Sequence, residues 1–210
     1  MPSTSAASGG ITLTCDIARV GDDIVFTYTV ANQGRATVLV MDAYPVRDGG
    51  TGRLAAAAGA TTWLGADGQA HVLKGTATPP ASADPEAPIL ALGVRLDPGK
   101  VLERRHAERL PLAEHSPYVP IGIVPEYRLA PIQGVALTVE VLPALPGLVA
   151  EAREIARGWW RVADPEAAAG LVQRLTCSFR ARGLFILVRK DDYPRPEFPP
   201  PPAVAEGSAV

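Results

Sequence analysis

Asp23-Ile24-Val25-Phe26-Thr27-Tyr28-Thr29-Val30-Ala31-Asn32-Gln33-Gly34 is the stretch that decides the fold. Ile24, Phe26, Tyr28 and Val30 fall on one side of an extended backbone, and Val25, Thr27 and Thr29 on the other. That period of two suits a half-buried strand, and the β-branched and aromatic residues fit a pleated surface. Upstream, Ile11, Leu13, Cys15 and Ile17 alternate with Thr12, Thr14 and Asp16, and Gly21-Asp22-Asp23 supplies the turn between the two runs. Downstream, Asn32 and Gly34 both accept positive φ at low cost, which predicts a tight connection into a third apolar strand over 36–43. The expectation is three consecutive antiparallel strands.

The passage from Asp23 to Gly34, a strand ending in Thr27-Tyr28-Thr29-Val30 followed by Asn32-Gln33-Gly34, resembles bacterial immunoglobulin-like domains over about residues 11–43. Adhesion-type repeats and the intracellular proteinase-inhibitor type of domain share this passage. The resemblance implies a sandwich of two antiparallel sheets that binds or braces other molecules. The Asn-x-Gly passage is structural in those families, so no binding residue is implied by it. The chain is about twice as long as a minimal domain of roughly 100 residues.

Further along, 47–60 is rich in Gly and Ala and reads as a loop in which 54–58 could form one helical turn. Thr61 to Leu64 and Ala70 to Leu73 flank Asp67-Gly68 and predict a hairpin. The segment from Thr76 to Pro88 holds four prolines, too many for ladder pairing, and predicts a surface crossing. Beyond it, 89–96 reads as a strand, Asp97-Pro98-Gly99-Lys100 as a turn, 101–112 as another extended run, and 112–131 as proline-broken loop pieces. Val135, Leu137, Val139 and Val141 then alternate cleanly and predict a strand over 134–142.

The period changes at Pro146. Leu148, Ala152, Ile155 and Trp159 recur at helical spacing, which predicts an amphipathic helix over 146–160. Asp164-Pro165-Glu166 looks like an N-cap with proline at the first helical position, so a second short helix is expected to about Ala169. Finally, 171–179 and 184–190 flank Arg180-Ala181-Arg182-Gly183 and predict a terminal hairpin. Its run Phe185-Ile186-Leu187-Val188 reads as buried on both faces.

With 210 residues, 47% hydrophobic and 20% charged, the chain can bury roughly 70% of the surface its unfolded form exposes. The formal net charge of −2 signals neither a nucleic-acid surface nor an acidic tail. No run of about 18 apolar residues occurs, so no membrane span is expected. Residues 1–10 read as a flexible leader and 191–210 as a Pro-rich disordered tail. The absence of a signal-peptide pattern points to the cytoplasm, with export the alternative if a signal has been removed.

Chemistry-bearing residues are sparse. His71, His106 and His115 show no metal-ligand spacing, and the expectation is no metal and no cofactor. His115-Ser116 could be drawn as a hydrolase pair, but Ser116 sits in no nucleophile elbow. The mixed-sign run Glu103 to Arg109 reads as a solvated strand face. Trp159-Trp160 would project about 100° apart on a helix, one ring toward the core and one toward a partner. Together with Arg180 and Arg182 on the terminal turn, they form the candidate interaction surface. Cys15 and Cys177 both fall on apolar strand faces and are expected as buried free thiols.

The resulting reading is an all-β, immunoglobulin-like antiparallel β-sandwich over 11–190 with a small helical insertion near 146–170. It is read as a non-catalytic protein-binding or structural module, with a protein partner or self-association and no nucleic acid. The alternatives are a proteinase inhibitor presenting the loop Thr76 to Pro88, and a hydrolase using His115.

Overall fold

A computed structural model describes residues 3–47, 49–50, 52–77, 91–118, 126–153, 155 and 157–190. The first strands are β1 (Ser3–Ser8), β2 (Ile11–Val20), β3 (Asp23–Asn32), β4 (Val38–Arg47), β5 (Leu54–Ala58), β6 (Thr61–Leu64) and β7 (Gln69–Lys74). Then come β8 (Leu92–Leu96), β9 (Val101–Arg109), β10 (Leu112–Ala113), β11 (Tyr127–Pro131) and β12 (Gly134–Pro143). The chain continues with β13 (Val149–Glu151), β14 (Trp160–Val162), helix α1 (Pro165–Ala169), β15 (Gln173–Arg180) and β16 (Phe185–Arg189).

These strands form an all-β sandwich. One sheet has the order β1-β2-β3-β9 and is antiparallel throughout. The second runs β13-β14-β8-β4-β12-β7-β6, with β15 on the remaining edge of β12 and β5 beside β4. A small third sheet, β10-β16-β11, completes the molecule. Most pairs are antiparallel, but β12 runs parallel to β7 and β10 parallel to β16.

Alternation places the core. Ile11, Leu13, Cys15 and Ile17 of β2 and Ile24, Phe26, Tyr28 and Val30 of β3 face Val135, Leu137, Val139 and Val141 of β12 within one continuous buried cluster. The opposite face of the second sheet is also covered. Leu39, Met41 and Leu142 pack there against Leu148, Val149, Val162 and Ala168. With apolar contacts on both faces, β4 and β12 read as nearly unbroken buried runs.

Several expectations change. Residues 3–8 of the expected flexible leader are strand β1, because Ser3 to Ser8 pair residue for residue with Asp16 to Ile11. Gly9 and Gly10 make that turn at φ 56° and 81°, where a Cβ would be strained. The third strand, β4, does not pair with β3 but crosses to the second sheet, and neither Asn32 nor Gly34 takes a positive φ. Ala-rich 54–58 is strand β5, because the edge of β4 offers its backbone a ladder that a single helical turn would lack.

The predicted helix over 146–160 is instead the hairpin β13–β14, whose β14 continues the sheet at the edge of β8. Gly147 and Gly158 hold φ of 83° and 82°, incompatible with one helix through both. The short helix at Asp164 does form, with the Asp164 carboxylate accepting from Ala167 N–H at 3.0 Å. Part of 112–131 is strand rather than loop, as β10 and β11. The terminal hairpin does not exist: β15 pairs with β12, whereas β16 pairs with β10 and β11. Pro79, Pro80, Pro85 and Pro88 of the predicted crossing, and the Pro-rich tail 191–210, lie outside the described residues.

The two cysteines meet inside the sandwich as free thiols. Cys177 Sγ lies 3.4 Å from Thr4 O, on β1 opposite Cys15, and 3.8 Å from Leu13 O, on the strand of Cys15 itself. Burial, helped by the nearness of Cys177, pushes the Cys15 thiol up to about 12, and burial raises Cys177 as well. Native protein should therefore react little with a thiol reagent, and denaturation without reductant should release two reactive groups. Both raised values contribute stability that is complete below the unfolded thiol value of about 8.5 and lost as pH rises through the folded ones. Stability should fall between about pH 9 and 12, and Cys15→Ala should flatten that slope in urea melts taken at stepped pH. A slope unchanged by the substitution would refute the assignment.

Candidate functional site

A group of ionisable side chains lies between the two large sheets. Asp42 sits on β4 where the register with β8 shifts between Met41 and Ala43, and it points toward the first sheet. Its Oδ1 accepts from Tyr28 Oη–H at 3.1 Å, and its Oδ2 accepts from Arg104 Nε–H at 2.5 Å. Lys74 on β7, only 2% exposed, donates to Asp42 O at 3.1 Å and Gly59 O at 2.9 Å, with the Asp42 carboxylate 3.8 Å away. Burial holds the Lys74 ammonium below its ordinary range, although Asp42 and Glu108 oppose the shift. Burial and the Asp42 carboxylate together raise the Tyr28 phenol.

The run Glu103 to Arg109 is therefore only half a solvated face. Glu103, Arg105, Ala107 and Arg109 of β9 are exposed, but Arg104, His106 and Glu108 alternate inward. His106 stacks on Phe26 and lies 2.7 Å from Glu108 Oε1 through Nε2.

Two further buried carboxylates act as backbone ties. Glu114 accepts from Leu64 N–H and Arg189 N–H at 3.0 and 2.8 Å, joining β6 to β16. Glu140 accepts from Thr76 N–H at 2.7 Å and from Arg174 Nε–H at 3.0 Å. Such charge-assisted bonds hold strands together, and they leave the oxygen atoms turned away from solvent. On β6 and β7, Trp63 stacks on His71 at 5.1 Å, and Asp67 accepts from Gln69 N–H while lying 3.1 Å from His71 Nε2. Bonds from Gln69 and His71 outweigh burial and hold Asp67 below its usual range.

His115 and Ser116 diverge. His115 is exposed and its backbone bridges Thr62 in both directions, at 2.8 and 2.9 Å. Ser116 is buried and accepts from Tyr118 N–H at 3.3 Å. Neighbours on an extended segment face opposite sides, and these two side chains do so. Among the described residues no three metal-ligating side chains converge.

The interaction surface expected from sequence is split in place. Trp160 is half-buried with the Arg95 guanidinium 4.8 Å above its ring, and its body joins the cluster under β13 and β14. Trp159 packs toward a separate group of Ala43, Leu92 and Ala152. Adjacent residues at a strand end diverge far more than the 100° a helix would give. Arg180 and Arg182 are exposed, but Arg180 lies opposite Gly134 at the start of β12. The tryptophan hairpin connects through β8 and β4 to Val141–Pro143, about 23 Å along that strand.

Sequence reading missed a different surface. Register places Leu129 opposite Leu187 and Pro131 opposite Phe185, with Tyr127 next in the same row of β11. Leu129 is 56% exposed, Phe185 41% and Tyr127 36%, while Ala130, Ile186 and Val188 on the reverse face are buried. Phe185 to Val188 is thus buried on one face only, against expectation. Single exposed apolar residues are ordinary, whereas these stand in one row of a ladder. The only sequence signal was that continuous apolar run, which cannot say how many faces are covered. No helix among the described residues is long and apolar enough to cross a membrane. A scan against protein-family models, a search of curated proteins and a search of solved structures each return no match.

Proposed function

We propose that this protein is a non-catalytic protein-binding or structural module of the bacterial immunoglobulin-like kind, acting in the cytoplasm. Its recognition face is the outer ladder of β11 and β16. The observation that carries the reading is the contiguous exposure of Tyr127, Leu129 and Phe185, aligned by strand register on one side of a small sheet. Trp159 and Trp160 serve as a second, more buried contact, and Arg180 and Arg182 as a separate charged rim. The ionisable clusters support the same reading, since Asp42, Glu114 and Glu140 are engaged in holding strands together.

Affinity capture from the host with the native chain and with Leu129→Ser is the direct test. A partner retained by the native chain should be lost at least tenfold by the variant, the loss expected for one anchor of a central contact. Loss with Arg180→Glu but not with Leu129→Ser would move the face to the terminal turn. An esterase, phosphatase and peptidase screen should show no turnover that His115→Ala alters. Turnover abolished by that substitution would overturn the non-catalytic reading.

A further inference from the structure

Apart from the β11 and β16 face, we propose that two copies of this chain pair through the open edge of β9, antiparallel about His106, and so join their first sheets across a two-fold axis. Among the described residues β9 ends its sheet, with β3 on one side and no strand on the other. It is nine residues long and keeps an unbroken register with β3. It contains neither proline nor bulge, two of the devices that blunt an exposed edge.

The direction of its free backbone groups follows from a neighbouring bond. Leu110 N–H donates to Asp22 O at 2.7 Å, continuing the register with β3. Bonding toward one neighbour alternates along an antiparallel strand, so Leu102, Arg104, His106 and Glu108 turn their N–H and C=O groups to β3. Glu103, Arg105, Ala107 and Arg109 turn theirs outward, where a second strand can add to the sheet. Glu103 O already accepts from Arg104 Nη1–H at 3.0 Å, and a carbonyl's second lone pair remains for a partner strand.

Charge on an edge ordinarily prevents pairing, because like charges set opposite one another destabilise the ladder. Here the signs run the other way. Laid antiparallel about His106, the sequence Leu102-Glu103-Arg104-Arg105-His106-Ala107-Glu108-Arg109-Leu110 is complementary to itself. On the outer face Glu103 meets the partner's Arg109, and Arg105 meets the partner's Ala107. On the inner face Arg104 meets the partner's Glu108, Leu102 meets the partner's Leu110, and His106 meets its own copy on the axis. Leu102 and Leu110 are partly buried against the core, so their meeting extends it. Arg104 and Glu108 point inward yet keep 32% and 25% of their side chains exposed, which leaves both within reach of a partner at the edge.

Other registers that bring the outward backbone groups together fail on charge. Turning about Arg104 or Arg105 sets an arginine against itself, and turning about Glu103 or Glu108 sets a carboxylate against itself. Turning about Ala107 sets Arg105 against the partner's Arg109. Pairing one strand with its own copy is isologous and uses up both edges, so the assembly closes at two chains.

Sedimentation equilibrium of the full chain tests this, with a monomer–dimer equilibrium expected for the native protein. Glu103→Arg and Arg109→Glu each place like charges opposite one another on both sides of the axis, and each should weaken association at least tenfold. The double change Glu103→Arg, Arg109→Glu restores opposite charges and should return association to within about threefold of native. An equimolar mixture of the two single variants should form a heterodimer tighter than either homodimer, which misfolded chains would not do. Arg105→Glu, opposite an alanine, should leave association within about threefold of native.

A native chain that stays monomeric at its highest soluble concentration would overturn the proposal. So would a dimer indifferent to both single changes, or a double change no tighter than the singles. A dimer more sensitive to Arg105→Glu than to Arg109→Glu would put the axis at Arg104 and overturn the register. One that Leu129→Ser dissociates and Arg109→Glu does not would put the contact on the β11 face instead.

Discussion

Asp42→Ala is expected to lower stability by about 3–5 kcal/mol, the usual penalty for removing one partner of a buried ionic group. The carboxylate satisfies Tyr28 and Arg104 from one sheet and lies within ion-pair distance of Lys74 from the other. Its loss strands an ammonium that is 2% exposed. Lys74→Met should behave differently. The methionine fills most of the same volume without charge, while Asp42 keeps Tyr28 and Arg104, so the change should fall within about 2 kcal/mol of native. Combined with Asp42→Ala, it should recover part of the loss, giving a coupling of about 0.5–3 kcal/mol. Urea melts of the four proteins measure this cycle. A cost below about 1 kcal/mol for Asp42→Ala would mean that the cluster opens to water rather than sealing the space between the sheets.

Asn32→Ala should cost about 3–4 kcal/mol, because its side chain completes the bonding of three backbone groups in a site that is 1% exposed. Nδ2 donates to Ala36 O and Leu96 O at 2.9 Å each, and Oδ1 accepts from Gly34 N–H at 3.0 Å. The backbone of Asn32 is tied in as well, its N–H donating to Lys100 O and its carbonyl accepting from Gly99 N–H. Two passages between the large sheets, β3 to β4 and β8 to β9, therefore cross at one residue.

Asn32→Asp separates shape from hydrogen bonding. The carboxylate keeps the Gly34 contact but faces two carbonyl oxygens, so burial and repulsion raise its folded value above the unfolded value of about 3.9. A raised group contributes stability that is complete below the unfolded value and lost as pH rises through the folded one. Asn32→Asp should thus approach native stability near pH 4 and lose most ground by pH 7. Melts showing equal stability to native at pH 7 would refute the corner's role.

Much of the local structure was legible in the sequence. The period-two runs gave β2, β3 and β12, Asp67-Gly68 gave the hairpin of β6 and β7, and Asp164-Pro165 gave the start of α1. Both cysteines point inward, as their places in alternating runs require. Less of the site was legible. Asp42 sits in the apolar-looking run 38–44, and its inward aim becomes meaningful only with Tyr28, Lys74 and Arg104 around it. The helical spacing at 148–159 was real, but the open edge of β8 and the apolar face of β4 offered more than a lone amphipathic helix could bury.

By itself, the sequence determined that the chain is all-β, where most strands lie, and which side of each alternating strand is apolar. These follow from backbone geometry, since the two-residue period is a property of neighbours along the chain. Only the tertiary structure decided that β4 leaves β3 for the second sheet, that β15 and β16 part company, and that Ser3–Ser8 joins the first sheet. It alone decided that Phe185 and Leu129 are exposed while Leu39 and Leu142 are buried. The physical reason is that an edge can pair with any complementary backbone, and an apolar face can be covered by any apolar layer. Both choices are settled among segments distant in sequence, by the total burial and hydrogen bonding that one arrangement achieves over its competitors.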